Sequence, residues 1–141
     1  MKMTECINYL LSVSQNVVFR YFSQQLAVYD ITPSQYGVLN CLWNDGPLTP
    51  SQIGAKLYLE ASSVSGVLDR MQKSALIERS AVPENRRMVL VSPTKKAVDM
   101  REGVDQIVQD MNRHFLGHFL PDEQRRLKAF LRRVIDTSPN D

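Results

Sequence analysis

The chain has 141 residues, 43% of them hydrophobic, and its 17 basic and 15 acidic side chains leave a net charge of +2. That suffices for one globular domain, with or without a shared interface, and argues for nucleic acid only if the charges are well placed. No apolar run approaches the roughly 20 residues that a bilayer crossing needs, Met1 to Leu11 lacks the pattern of a signal peptide, and no phosphate loop, zinc-protease, CxxC or nucleophile-elbow motif is present, so a cytoplasmic protein without enzymatic activity or cofactor is expected.

In chain order, Ile7, Leu10, Leu11, Ser14, Val17, Val18, Tyr21 and Phe22 fall on one broad stripe of a first helix. Thr32-Pro33-Ser34-Gln35 and Thr49-Pro50-Ser51-Gln52 start two more with the same chemistry. In each, Thr can hold the free amides, Pro already has a helical φ, and Gln three residues on can close a capping box. Ile53 and Leu57 share one face of the third helix, with Ser51, Gln52 and Lys56 around it. After a turn at Tyr58 to Ala61, a fourth helix is expected over roughly Ala61 to Lys73. Its Val64, Val67, Leu68 and Met71 have helical spacing and should bury, leaving Ser62, Ser63, Ser65, Gly66, Asp69 and Arg70 on or near the open face. Leu76 to Ala81 and Met88 to Val91 can pair as a hairpin around a turn from Val82 to Arg87. A fifth helix carries Ala97, Met100, Val104, Ile107, Val108, Met111, Phe115 and Phe119 on one stripe, and a last helix after Pro121 offers Leu127, Phe130, Leu131, Val134 and Ile135.

The expected fold is mainly α with a small β-hairpin, in the order of a winged helix-turn-helix, which puts one helix into a DNA groove. Small hydroxyl residues at the front of an exposed helix suit close approach to base edges and phosphates. Two adjacent arginines at a hairpin tip can reach phosphates or the narrow minor groove. The two ends of the chain present more apolar helical surface than a small winged core can cover, so a homodimer is expected. Its two recognition helices, about one DNA turn apart, would read a palindromic site on double-stranded DNA.

These features resemble the MarR family of transcription regulators over nearly the whole chain. The resemblance rests on the Ile31 to Tyr36 helix entry, the segment VSGVLDRMQKSALIER, the wing NRRMVLVSPT and the final FLPDEQRRLKAFLRRV helix. It implies a single domain over 1–141, with a DNA-binding lobe at 32–92 and dimerisation helices at 1–31 and 93–141, probing an operator as a repressor. The chain departs from the family pattern at Gly66, often Arg; at Glu60, often a capping Ser; at Asn85, where an Asp commonly pairs with the wing Arg; and at Ala75, where a Gly commonly ends the recognition helix.

The expected DNA contacts are Ser51, Gln52, Ser62, Ser63, Ser65, Arg70, Arg86 and Arg87. By resemblance, a small aromatic or phenolic effector would sit between the dimerisation helices and the lobe. Tyr21, Tyr29, Tyr36, Trp43 and Met111 are possible walls for it and Arg20 a partner for an acidic group, with Arg20, Tyr36 and Met111 the chosen site residues. Two cysteines in separate helices make no disulfide scaffold, and it is the resemblance that makes Cys6 the candidate for redox sensing, since certain oxidant sensors of the family use a cysteine in the first helix. His114 and His118 are four apart, a helical metal spacing without further donors, so no metal is assigned. The alternatives are a winged-helix protein-interaction module that has lost DNA binding and a redox-sensing regulator using Cys6.

Overall fold

The computed structural model describes residues 1–137 and forms two compact units, residues 1–107 and a second from Val108 onward. The elements are α1 (Ile7–Leu26), α2 (Pro33–Asp45), α3 (Pro50–Leu57), α4 (Ala61–Lys73), β1 (Ile77–Val82), β2 (Asn85–Pro93), α5 (Lys95–Asp99), α6 (Arg101–Leu116) and α7 (Pro121–Ile135). Short 3₁₀ turns precede and follow α1. No helix among the described residues is long and apolar enough to cross a membrane.

The helix starts follow local chemistry. Thr32 Oγ1 accepts from the Gln35 amide at 3.2 Å while Gln35 Oε1 accepts from the Thr32 amide at 3.1 Å. Thr49 and Gln52 repeat the reciprocal pair at 3.2 and 2.9 Å, each satisfying amides that the first helical turn leaves free. The core of the first unit is built from Leu26, Val38, Leu39, Leu42, Ile53, Val64, Leu68, Met71, Leu76, Ile77, Val91 and Val104, all essentially buried. Gly54 lets α3 and α4 cross closely. A Cβ there would stand 3.0 Å from the Leu59 carbonyl and 3.3 Å from Val64 Cγ2.

β1 and β2 pair antiparallel from Ile77↔Pro93 to Ala81↔Val89, then jump to Val82↔Asn85. The second strand extends further than the sequence suggests, with Asn85, Arg86 and Arg87 belonging to β2, Asn85 paired with Val82, and only Pro83 and Glu84 forming the turn. Extended backbone is indifferent to the charge that made this segment look like a loop. Leu48 adds an isolated bridge on the other edge of β2, exchanging two backbone hydrogen bonds with Val91 at 3.1 and 2.7 Å.

The expected fifth helix is two helices. It breaks at the buried Met100 (φ −85°, ψ −7°), and α6 ends at Leu116, so Phe119 and His118 lie beyond it. His114 and His118 therefore do not share a helix face. Among the described residues no group of three potential metal ligands occurs.

In the second unit, α7 starts at Pro121 with Glu123 accepting from the Leu120 amide at 2.8 Å. It buries none of its residues, and Phe130, Leu131, Val134 and Ile135 are 39–50% exposed. On α1, in the first unit, Ile7, Leu10 and Val17 are likewise 45–60% exposed, whereas Phe22 and Leu26 enter the core.

Candidate nucleic-acid interface

The α4 helix occupies Ala61–Lys73, the range its periodicity predicts, and buries Val64, Leu68 and Met71, with Val67 only half-buried. Ser62, Ser63, Ser65, Asp69 and Arg70 stand exposed on the opposite side. Its N-cap, Glu60, makes no capping hydrogen bond, so the front of the helix keeps free amides and a carboxylate together. Gly66 is half-buried, and a Cβ there would meet nothing closer than the Arg70 guanidinium at 3.7 Å. Sterics therefore do not require glycine at this position.

The far end of α4 closes as a Schellman motif. Leu76 donates to the Met71 carbonyl at 2.9 Å and Ala75 to Gln72 at 3.1 Å. Ala75 carries φ 61°, the left-handed conformation in which the family's glycine is at ease. The helix therefore keeps a left-handed ending with an alanine in the strained position. Thr94 Oγ1 donates to the Ala75 carbonyl at 2.7 Å and Lys96 Nζ to the Ser74 carbonyl at 2.9 Å, anchoring this corner to the segment after the wing.

Ser51 and Gln52 are exposed at the start of α3. The Gln52 amide oxygen is committed to its cap, which leaves its NH₂ group to donate outward. Arg86 and Arg87 are exposed in the stretch of β2 that the register jump leaves without cross-strand partners. Asn85 Oδ1 accepts from the Arg87 amide at 3.1 Å, so Asn85 fixes the backbone of Arg87 rather than its guanidinium. Among the described residues Arg70, Arg86 and Arg87 have no ion-pair partner. Their charge is available to an anion.

Sequence reasoning missed Arg79. From β1 it donates to Asp69 Oδ1 at 2.8 Å, joining the wing to the exposed side of α4. Residues ten apart on a strand and a helix give no periodic signal. Arg79 also borders a groove of about 460 Å³ among α3, α4 and the hairpin, which Ser51, Leu59, Ser65 and Val89 help to line.

Of the effector candidates, Arg20 and Tyr36 belong to the first unit and Met111 to the second. Arg20 is exposed on α1, and Tyr36 is half-buried on α2 with its ring edge-on to Phe22 at 5.2 Å. Burial, and then the nearby Asp105 carboxylate, push the Tyr36 hydroxyl above its ordinary 10.0. Met111 lies half-buried in the second unit. Cys6 is half-buried at the N-cap of α1, and Cys41 is buried in α2.

A model of the MarR family matches residues 31–89. The organic hydroperoxide resistance transcriptional regulator of Bacillus subtilis is 31% identical over 102 residues, spanning 72% of this chain and 69% of that protein. The chain belongs to the MarR family. This MarR-family chain is a DNA-binding transcription regulator and not an enzyme. A probable transcriptional regulator from Pseudomonas aeruginosa has a similar structure (TM-score 0.87, 28% identity, 94% of this chain and 99% of that one). So does a MarR variant from E. coli complexed with operator DNA (TM-score 0.84, 26% identity, 91% and 92%).

Proposed function

We propose that the protein is a cytoplasmic homodimeric repressor that binds a palindromic operator and releases it in response to a small aromatic or phenolic effector. The observation that carries the DNA contacts is the shared exposure of Ser62, Ser63, Ser65 and the unpaired Arg70 on α4 with the unpaired Arg86 and Arg87 in the wing. Hydroxyls read base edges and phosphates at short range, while guanidinium groups hold the backbone. The exposed apolar residues of α1 and of α7 support a second copy as partner, because each would leave water on association. Selection from a random duplex library, followed by anisotropy at two salt concentrations, tests this. Enrichment of a palindrome whose affinity falls steeply with salt supports it, and a folded protein that enriches nothing favours a protein-interaction module.

Arg20, Tyr36 and Met111 are the residues assigned to the effector. Phenolic acids that change neither the melting temperature nor the operator affinity would remove that assignment. A redox reading has specific support in the relative named for organic hydroperoxide resistance and in the position of Cys6 at a helix N-cap. In it, the Cys6 thiol is oxidised to a sulfenic acid while the hydroperoxide is reduced to its alcohol. Release of DNA by an organic hydroperoxide from the native chain but not from Cys6→Ser supports it, and equal release from both removes Cys6 from the reading.

A further inference from the structure

The C-terminal turn of α2 leaves its last carbonyls without helical donors. Gly46 takes the Leu42 carbonyl at 3.0 Å. The Trp43 carbonyl is taken from another helix by Arg101 Nη1 at 2.9 Å, and the same guanidinium places Nη2 on Asn44 Oδ1 at 3.0 Å. Its Nε faces Asp105 one turn along α6 at 3.7 Å. Beside this fork, Trp43 Nε1 donates to the Ala97 carbonyl of α5 at 3.1 Å. The end of α2 is thus held on both sides of the Met100 break, by α5 through Trp43 and by α6 through Arg101.

The seam continues along α2. Tyr36, Asn40 and Asn44 recur at intervals of four, with Asn40 Nδ2 donating to Tyr36 Oη at 3.4 Å and Asn44 Nδ2 to the Asn40 carbonyl at 2.9 Å. This polar line departs from the apolar pattern of the helix and ends at the Arg101 fork. A planar guanidinium fixes direction as well as distance, which a point charge does not.

We infer that Arg101 is a positioning residue for operator recognition, setting the direction in which α6 leaves the DNA-binding lobe and hence the half-site spacing that the dimer accepts. The inference rests on the dimeric reading above. The magnitude follows from the lever. The 16 residues of α6 span about 24 Å, so a tilt of about 10° at the first turn moves the far end by about 4 Å, against a base-pair rise of about 3.4 Å. A small rotation at Arg101 therefore costs a whole base pair of register.

The test uses the full-length chain and duplexes bearing two selected half-sites, with the spacing varied in single base-pair steps, beside a duplex bearing one half-site. The native chain should bind one spacing best. Arg101→Met, which keeps the aliphatic stem and removes the fork, should lose about tenfold at the best spacing and flatten or shift the profile, with single-site affinity unchanged. Arg101→Lys, which retains charge without the fork, should follow the Met variant rather than the native chain. Asn44→Ala, which removes one acceptor, should shift the profile in the same sense by less and serves as the readout should both Arg101 variants fail to fold. A native profile in a folded Arg101→Met or Asn44→Ala protein overturns the inference. A native chain that binds every spacing equally overturns it together with the dimeric reading, and the two failures are thereby told apart.

Discussion

Gly66 and Ala75 each occupy a position whose backbone favours the other residue, so exchanging them is expected to stabilise the chain. Ala75 holds φ 61° at the end of α4, it is exposed, and its methyl contributes no core packing. An L-residue in that region costs about 1–2 kcal/mol, and the extra freedom of an unfolded glycine takes back about 0.4–1 kcal/mol, leaving a gain of roughly 0.5–1 kcal/mol for Ala75→Gly. Gly66 sits inside the same helix with open space for a Cβ. Gly66→Ala should add about 1 kcal/mol. The two share no hydrogen-bond partner, so their effects should add to roughly 1.5–2 kcal/mol, or about 5 °C in melting temperature for a chain of this size. Urea denaturation at fixed protein concentration checks the size of the effect, with the midpoint rising at constant slope. A destabilised Ala75→Gly protein would refute the left-handed assignment and the Schellman ending with it.

Arg87→Ala should weaken binding to all operator sequences alike and lower the slope of log affinity against log salt by about 1 for each chain bound, read by anisotropy across salt. Equal slopes would remove the wing from the phosphate contacts. Gly103→Ala places a methyl where the Tyr29 hydroxyl lies, so it should cost about 1–3 kcal/mol in denaturant melts. Tyr29→Ala in the same chain should recover part of that loss. The exposed pair Asp69–Arg79 should couple by no more than about 1 kcal/mol in a double-mutant stability cycle, while either single variant weakens operator binding through the wing. Burial raises the Cys41 thiol above its ordinary 9.0 and leads the rise of Tyr36 above 10.0. The unfolded chain therefore releases these protons first, so stability should fall as pH rises through and beyond 9.0, and Cys41→Ala should flatten the first part of that fall. Melts from pH 7 to 11 read this directly.

What was legible in the sequence was what neighbouring residues decide. Thr49 and Gln52 announce α3 because both partners of the cap lie within one turn. The burial of Val64, Leu68 and Met71 follows from helical spacing alone. The break at Met100 was not legible, since Ala97, Met100 and Val104 keep a continuous helical spacing through it and all three are buried. The groups that tie α2 to both sides of that break lie more than fifty residues away. Pairing of Leu48 with Val91 has no local pattern either, being one rung between distant segments. Of the candidate interface, the residue types and their exposure were readable on α4. The engagement of Asp69 by Arg79 and of the Gln52 oxygen by its own cap needed the folded geometry.

The register jump between Ala81 and Val82 divides the hairpin into two parts with different tolerance for changes in length. Below it, Val91 is locked by Leu48 and by the core, so a slip of one residue would turn its side chain outward. Above it, Arg86, Arg87 and Met88 have no cross-strand partners whose alternation must be kept. Residues can be inserted or deleted there without disturbing the ladder beneath, so the reach of the basic tip can diverge between related chains while the domain that carries it stays the same.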